Sequence, residues 1–197
     1  SEYFKLPFNH RSDIARVPAW AKDAVVYNIF PDSFASGKCE ISGQPQSQRF
    51  ERQTVRGKLG GTLDGAAQNV DYLKALGVNC VYLNPIFAAG EYHKYDLLDY
   101  YHVDPCFGGN EAFRTMVNTL HASGIRVIID GVFNHCGSFN KWMDRERIYE
   151  NAEGYEKGAY ISADSPYRNY FLFHDNNRWP YNPTYDGWWG HDTLPKL

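Results

Sequence analysis

Apolar and polar positions along the chain alternate between two rhythms. Ala24 to Phe30 is a short apolar run stopped by Pro31, and it reads as a first strand. After Thr62, a candidate N-cap, the residues Leu63, Ala66, Ala67, Val70, Leu73 and Leu76 recur at the spacing of one helical face. Asp64 places a negative charge in the first turn, where the helix dipole favours it, and Gly77 stands where a left-handed C′ residue would end the helix. Val78 to Leu83 is a second apolar run, ending before Pro85. Phe113, Met116, Val117 and Leu120 repeat the helical spacing behind Asn110, a candidate cap supported by Glu111, and Gly124 closes that helix. Ile125, Val127, Ile128 and Ile129 then form a nearly unbroken β-prone run, the pattern of a parallel strand buried on both faces.

The order is strand, helix, strand, helix, strand, for which parallel strands with right-handed helical crossovers are the expected solution. Each helix passes into its strand through little more than one glycine. Each strand reaches its helix only after a long loop, residues 31–61 and 84–109. Loops of that length in a compact domain are usually functional, and all of them leave from the C-terminal ends of the strands. That end is therefore the expected working face, as in other parallel sheets. Residues 1–22 carry no period, and Pro7 and Pro18 break any helix; they read as a lead-in.

A 43% share of hydrophobic residues is enough for a core, while a net charge of −3 and the lack of a basic run argue against nucleic acid as a partner. No apolar stretch is long enough to span a bilayer, so no membrane partner is expected. Cys39, Cys80, Cys106 and Cys136 show no Cys-x-x-Cys spacing; all four read as reduced, with Cys80 buried in its strand, which implies a cytoplasmic setting. The aromatic share, 16% with 15 Tyr and 5 Trp, is the unusual figure. It is concentrated between Cys136 and Thr193, a segment with no sustained period that is too aromatic to be disordered and reads as a small inserted subdomain.

The third run ends in Asp130, Asn134 and His135. A dry strand delivering a carboxylate, an amide and an imidazole either meets a ligand there or uses Asp130 to satisfy backbone donors in the turn. No Gly-x-Gly-x-x-Gly, P-loop or Gly-x-Ser-x-Gly is present, and His135 beside Cys136 does not make a zinc site. What remains is carboxylates among tyrosines and tryptophans, which suggests carbohydrate chemistry.

Several separated blocks resemble the α-amylase family of glycoside hydrolases, and most of all its cyclomaltodextrinase, neopullulanase and maltogenic amylase group. They are Val26–Phe34, Leu59–Gly65, Gly77–Pro85, His93–Asp96 with Asp99–Tyr101 and Asp104–Gly108, Asp130–His135, and Leu194–Leu197, in that order. The resemblance implies an α/β fold: part of a (β/α)8 TIM barrel, its first three strands and two helices, with an inserted domain B. The implied boundaries are a lead-in at 1–22, the first part of the barrel at 23–132, domain B at 133–193 and a run-in to a fourth strand at 194–197. It also implies retaining hydrolysis of α-1,4-glucosidic bonds, with cyclodextrins, pullulan or maltooligosaccharides as substrates. Carried over by matching position, Tyr95 would stack on the sugar in the cleaved subsite with His93 in support, and His135 would hydrogen-bond that sugar. Asp130 would be an orienting residue paired with an arginine on the next strand. No cofactor is required; Asn134 matches a Ca2+ ligand of many relatives, whereas Ala35–Glu40 lacks the Asn/Asp cluster that completes such a site.

The family's catalytic carboxylates lie on the fourth, fifth and seventh strands, and no residue here matches them. The expectation is a fragment that supplies sugar-binding residues without the catalytic groups, is inactive alone, and is either marginally stable or self-associates to cover open strand edges. One rival is a non-catalytic α-glucan-binding module using the aromatic segment. Another is a protein-interaction relative of the barrel, such as the heavy subunits of amino-acid transporters.

Overall fold

The computed structural model describes residues 16–37, 59–174 and 184–197. Cys39, the lead-in as far as residue 15, the Gln/Ser run at 44–48, Trp179 and Tyr181 lie outside the described residues. Three strands, β1 (Val26–Ile29), β2 (Cys80–Leu83) and β3 (Arg126–Ile129), form one parallel sheet in the order β1-β2-β3. Val26, Cys80 and Arg126 stand level at one end, and Ile29, Leu83 and Ile129 at the other. The expected parallel sheet is therefore present, with each strand a residue or more shorter than its apolar run.

Among the described residues four α-helices accompany it: α1 (Pro31–Phe34), α2 (Leu63–Gln68), α3 (Val70–Ala75) and α4 (Gly109–Ala122). The single helix expected from Leu63 to Leu76 is broken at Asn69, whose backbone leaves the helical region (φ −104°, ψ 21°). The break has a local cause. The Asn69 amide donates to the Gly65 carbonyl at 2.7 Å and to the Gly37 carbonyl at 2.8 Å, so a buried side chain competes with the helix for its backbone and ties it to the preceding loop. Thr62 does cap α2, accepting from the Gly65 amide at 3.0 Å.

Gly77 and Gly124 end α3 and α4, each at φ +76°. At both, the glycine and the residue after it donate back to carbonyls of the last turn: Gly77 to Lys74, Val78 to Leu73, Gly124 to His121 and Ile125 to Leu120. This double closure needs the left-handed conformation that a side chain disfavours. Asn110 does not cap α4. Its side chain accepts from the Val103 amide at 2.8 Å and so holds the end of the loop, while left-handed Gly108 precedes the helix.

The main core joins sheet and helices through Ile29, Leu63, Leu73, Val81, Leu83, Met116, Leu120 and Ile125. A fully buried Leu or Ile contributes about 1.5–3 kcal/mol, so this cluster carries most of the fold's apolar stabilisation. A second cluster, Cys136, Met143, Ala159, Phe171 and Tyr185, forms the core of the aromatic segment. Burial of β3 on both faces, expected from its composition, is not observed. Ile128 and Ile129 are 37% and 40% exposed because β3 is an edge strand paired on one side only.

Candidate functional site

The register of the sheet sets the site. Just past the strands, the Asn84 amide donates to the Ile29 carbonyl (2.9 Å) and the Asp130 amide to the Leu83 carbonyl (3.0 Å). Ladder bonding thus continues one step beyond β2 and β3 and places an amide and a carboxylate on neighbouring strand ends. Tyr95 comes to them from the long loop after β2. Its hydroxyl donates to Asp130 Oδ2 at 3.0 Å and accepts from Asn84 Nδ2 at 3.3 Å. Burial first, and the Asp130 carboxylate second, hold the Tyr95 phenol above its ordinary range, so it stays a donor at neutral pH. The same two causes, in the same order, raise the Tyr82 phenol beside Asp130.

The loop carrying Tyr95 is internally braced. The Tyr95 amide donates to His93 Nδ1 at 3.1 Å, and the two rings lie 6.0 Å apart. Both oxygens of the buried Asp96 carboxylate accept from the Glu91 amide, at 3.1 and 3.0 Å. Lys94 sits between these groups in the left-handed region (φ +63°), and its ammonium forms a buried 2.7 Å ion pair with Asp104.

His135 closes the other side. Its Nε2–H donates to the Tyr95 carbonyl at 3.1 Å, and its Nδ1 accepts from the Asn134 side-chain amide, also at 3.1 Å. Burial pushes the imidazole below its ordinary value, partly opposed by the Tyr95 carbonyl and the Asp96 charge. The ring is therefore neutral at pH 7, in the tautomer those two bonds require. Its face stacks on Trp188 at 5.9 Å and 16°. The Tyr100 hydroxyl fixes the backbone beneath, lying 2.7 Å from the Val132 carbonyl and 2.8 Å from that of His135, while its ring stacks with those of Phe133 and Trp142. The 134–138 segment is in turn laced to the end of the chain: Cys136 N–H to Pro195, Ser138 N–H to Thr193 and Leu197 N–H to Asn134.

His93, Tyr95, Asp130, Asn134 and His135 thus come together at the C-terminal ends of the strands. Asn84, Asp96, Tyr100 and Trp188 belong to the same constellation and were missed. Asn84 had a usable signal, because it follows an apolar strand just as Asp130 does. Trp188 had none beyond lying in an aromatic-rich stretch. Among the described residues no group of three or more His, Cys, Asp or Glu side chains is placed to hold a metal ion. The side-chain N–H of Asn134, the candidate Ca2+ ligand, donates to His135 Nδ1. Among the described residues no disulfide joins Cys80, Cys106 or Cys136. Among the described residues no helix is long and apolar enough to cross a membrane.

Residues 28–194 match the family model described as the α-amylase catalytic domain. The chain is 46% identical over 144 residues to an intracellular maltogenic amylase of Bacillus subtilis, covering 72% of this chain and 24% of that protein. It is 47% identical over 146 residues to a cyclomaltodextrinase of Geobacillus thermopakistaniensis, with the same two coverages, 72% and 24%. Among solved structures it resembles the ligand-free cyclic α-maltosyl-(1→6)-maltose hydrolase of Arthrobacter globiformis, with a TM-score of 0.71 and 34% identity over 92% of this chain and 39% of that one. The chain therefore spans about a quarter of the length of the curated relatives it matches.

Proposed function

The chain belongs to the α-amylase catalytic-domain family, and from that premise we propose that its strand ends form the sugar-binding floor of a retaining α-glucan hydrolase. The bonds cleaved would be α-1,4-glucosidic, in cyclodextrins, pullulan or maltooligosaccharides. The observation that carries this reading is the anchoring of Tyr95: its hydroxyl is tied to Asp130 and Asn84 and its carbonyl to His135, while its ring remains only half buried. A ring fixed by its polar edge presents its face, and a sugar ring stacks on such a face.

In this reading Tyr95 stacks on the glucosyl unit and His93 braces its backbone. Asp130 orients the phenol rather than reacting. Both ring nitrogens of His135 are already bonded within the protein, so its sugar contact requires a hydroxyl to replace the exposed Asn134 amide at Nδ1. That exchange conserves the number of hydrogen bonds, and a neutral imidazole accepts from a sugar hydroxyl without cost in charge. A Ca2+ ion at Asn134 has no part in these steps. The carboxylates that break the bond would stand on the fourth, fifth and seventh barrel strands, which these residues do not include. We read residues 23–132 as the first part of the barrel and 133–193 as the inserted domain B, with a cytoplasmic location. The chain alone binds glucan without cleaving it.

Calorimetric titration with maltoheptaose tests the reading. Tyr95→Ala is expected to weaken binding about tenfold, roughly 1.4 kcal/mol, and neither protein should release reducing ends. Unchanged affinity in the variant would contradict the site, and turnover above a blank would contradict the assignment of catalysis elsewhere.

A further inference from the structure

Trp189 is the most exposed large apolar residue among those described, at 82%, and its backbone is left-handed at φ +50°, ψ 28°. Neither feature is explained by packing. A bulky side chain disfavours that conformation, which glycine adopts freely, and here the strained backbone carries an indole that the core does not use. The ring is nevertheless ordered by a stack. Trp189 lies 5.2 Å from Trp188 at 16°, and Trp188 lies 5.9 Å from His135 at 16°.

The segment beneath is held on several sides. The Trp188 amide donates to the Leu194 carbonyl at 2.8 Å, and Arg145 pairs with Asp192 at 2.7 Å. The Tyr185 hydroxyl donates to the Asp192 carbonyl. One face of the Trp189 indole is thus backed by a continuous row of flat rings leading to His135, and the other is open to water. A flat apolar face, presented rigidly next to a sugar contact, suits the C–H face of a pyranose ring.

We propose that the outer face of Trp189 is a second sugar position, which takes a glucosyl ring of the same α-glucan beyond the unit held by Tyr95. This rests on the sugar-binding reading above and deepens it. The position recognises chain length, because only a glucan long enough to reach from Tyr95 to Trp189 uses both.

The test is Trp189→Gly, the substitution the backbone itself prefers. It removes the ring and relieves the left-handed strain, so thermal stability should be unchanged or slightly higher. Affinity for maltoheptaose should fall at least fivefold, affinity for maltose should change less than twofold, and glucan-induced quenching of tryptophan fluorescence should shrink. Trp189→Phe should recover most of the affinity. Equal maltoheptaose affinity in wild type and Trp189→Gly would overturn the second position while leaving the Tyr95 site standing. Loss in Trp189→Gly with no loss in Tyr95→Ala would leave the platform and overturn its link to the Tyr95 site. No glucan binding by the wild-type chain would overturn both.

Discussion

The pair Lys94–Asp104 shows how much of the site depends on a single buried interaction. Its 2.7 Å bond lies where the two side chains are 3% and 12% exposed, and Asp104 also accepts from the Cys106 amide at 2.9 Å. Burial alone would raise the Asp104 carboxyl. The Lys94 and Cys106 donors outweigh it and hold the carboxyl below its ordinary value. A carboxyl depressed in the folded state contributes fully above its unfolded value, about pH 3.9. That contribution is lost as pH falls below it toward the folded value. Lys94→Met strands a buried carboxylate and should cost about 3–5 kcal/mol in urea denaturation at pH 7. The difference between variant and wild type should narrow as pH drops below about 4. A loss under 1 kcal/mol at pH 7 would show that the pair does not hold the loop. At this scale Tyr95, His93, Asp130 and His135 were legible because they fall in compact blocks of recognisable order. Lys94 was not, since nothing in a string of letters reveals that a lysine occupies a left-handed turn and turns inward to an aspartate ten residues on.

At the scale of elements, the three strands and the glycine stops at Gly77 and Gly124 were readable, because apolar runs and left-handed closures leave direct marks in sequence. The break at Asn69 was not, because its cause is a hydrogen bond to Gly37, which is far away in sequence. Asn110 illustrates the converse: a good cap residue in the right place is diverted to a neighbouring loop amide. The β3 run misled for a simpler reason, since a composition suited to burial on both faces describes a strand flanked by neighbours on both sides. Among the described residues no strand pairs with the outer side of β3, and Ile128 and Ile129 are exposed there. Such an edge recruits another strand. The chain should therefore self-associate in sedimentation at micromolar concentration, and Ile129→Lys, which places a charge on that edge, should shift it toward monomer. A wild-type chain that sediments as a monomer throughout would contradict this.

For the whole molecule, two cores divide the labour. One packs sheet against helices; the other holds the aromatic segment and includes Cys136, whose segment, 134–138, follows β3 and is bonded to residues 193–197. The site draws on both parts: Tyr95 meets Asp130 at the end of β3, and Trp188 of the aromatic segment stacks on His135. From loop lengths alone, sequence reading pointed to the C-terminal face of the sheet, where Tyr95 and Asp130 meet. It could not place the aromatic segment over that face, because 3-10 turns and isolated bridges leave no period to read. Amide chemical-shift mapping of the chain during a maltoheptaose titration shows whether glucan binds at these residues. Saturable shifts are expected at Tyr95, Asp130, His135, Trp188 and Trp189. Shifts concentrated instead in the groove between α4 and the loop before it, around Phe87, Tyr101 and Phe113, would contradict binding there.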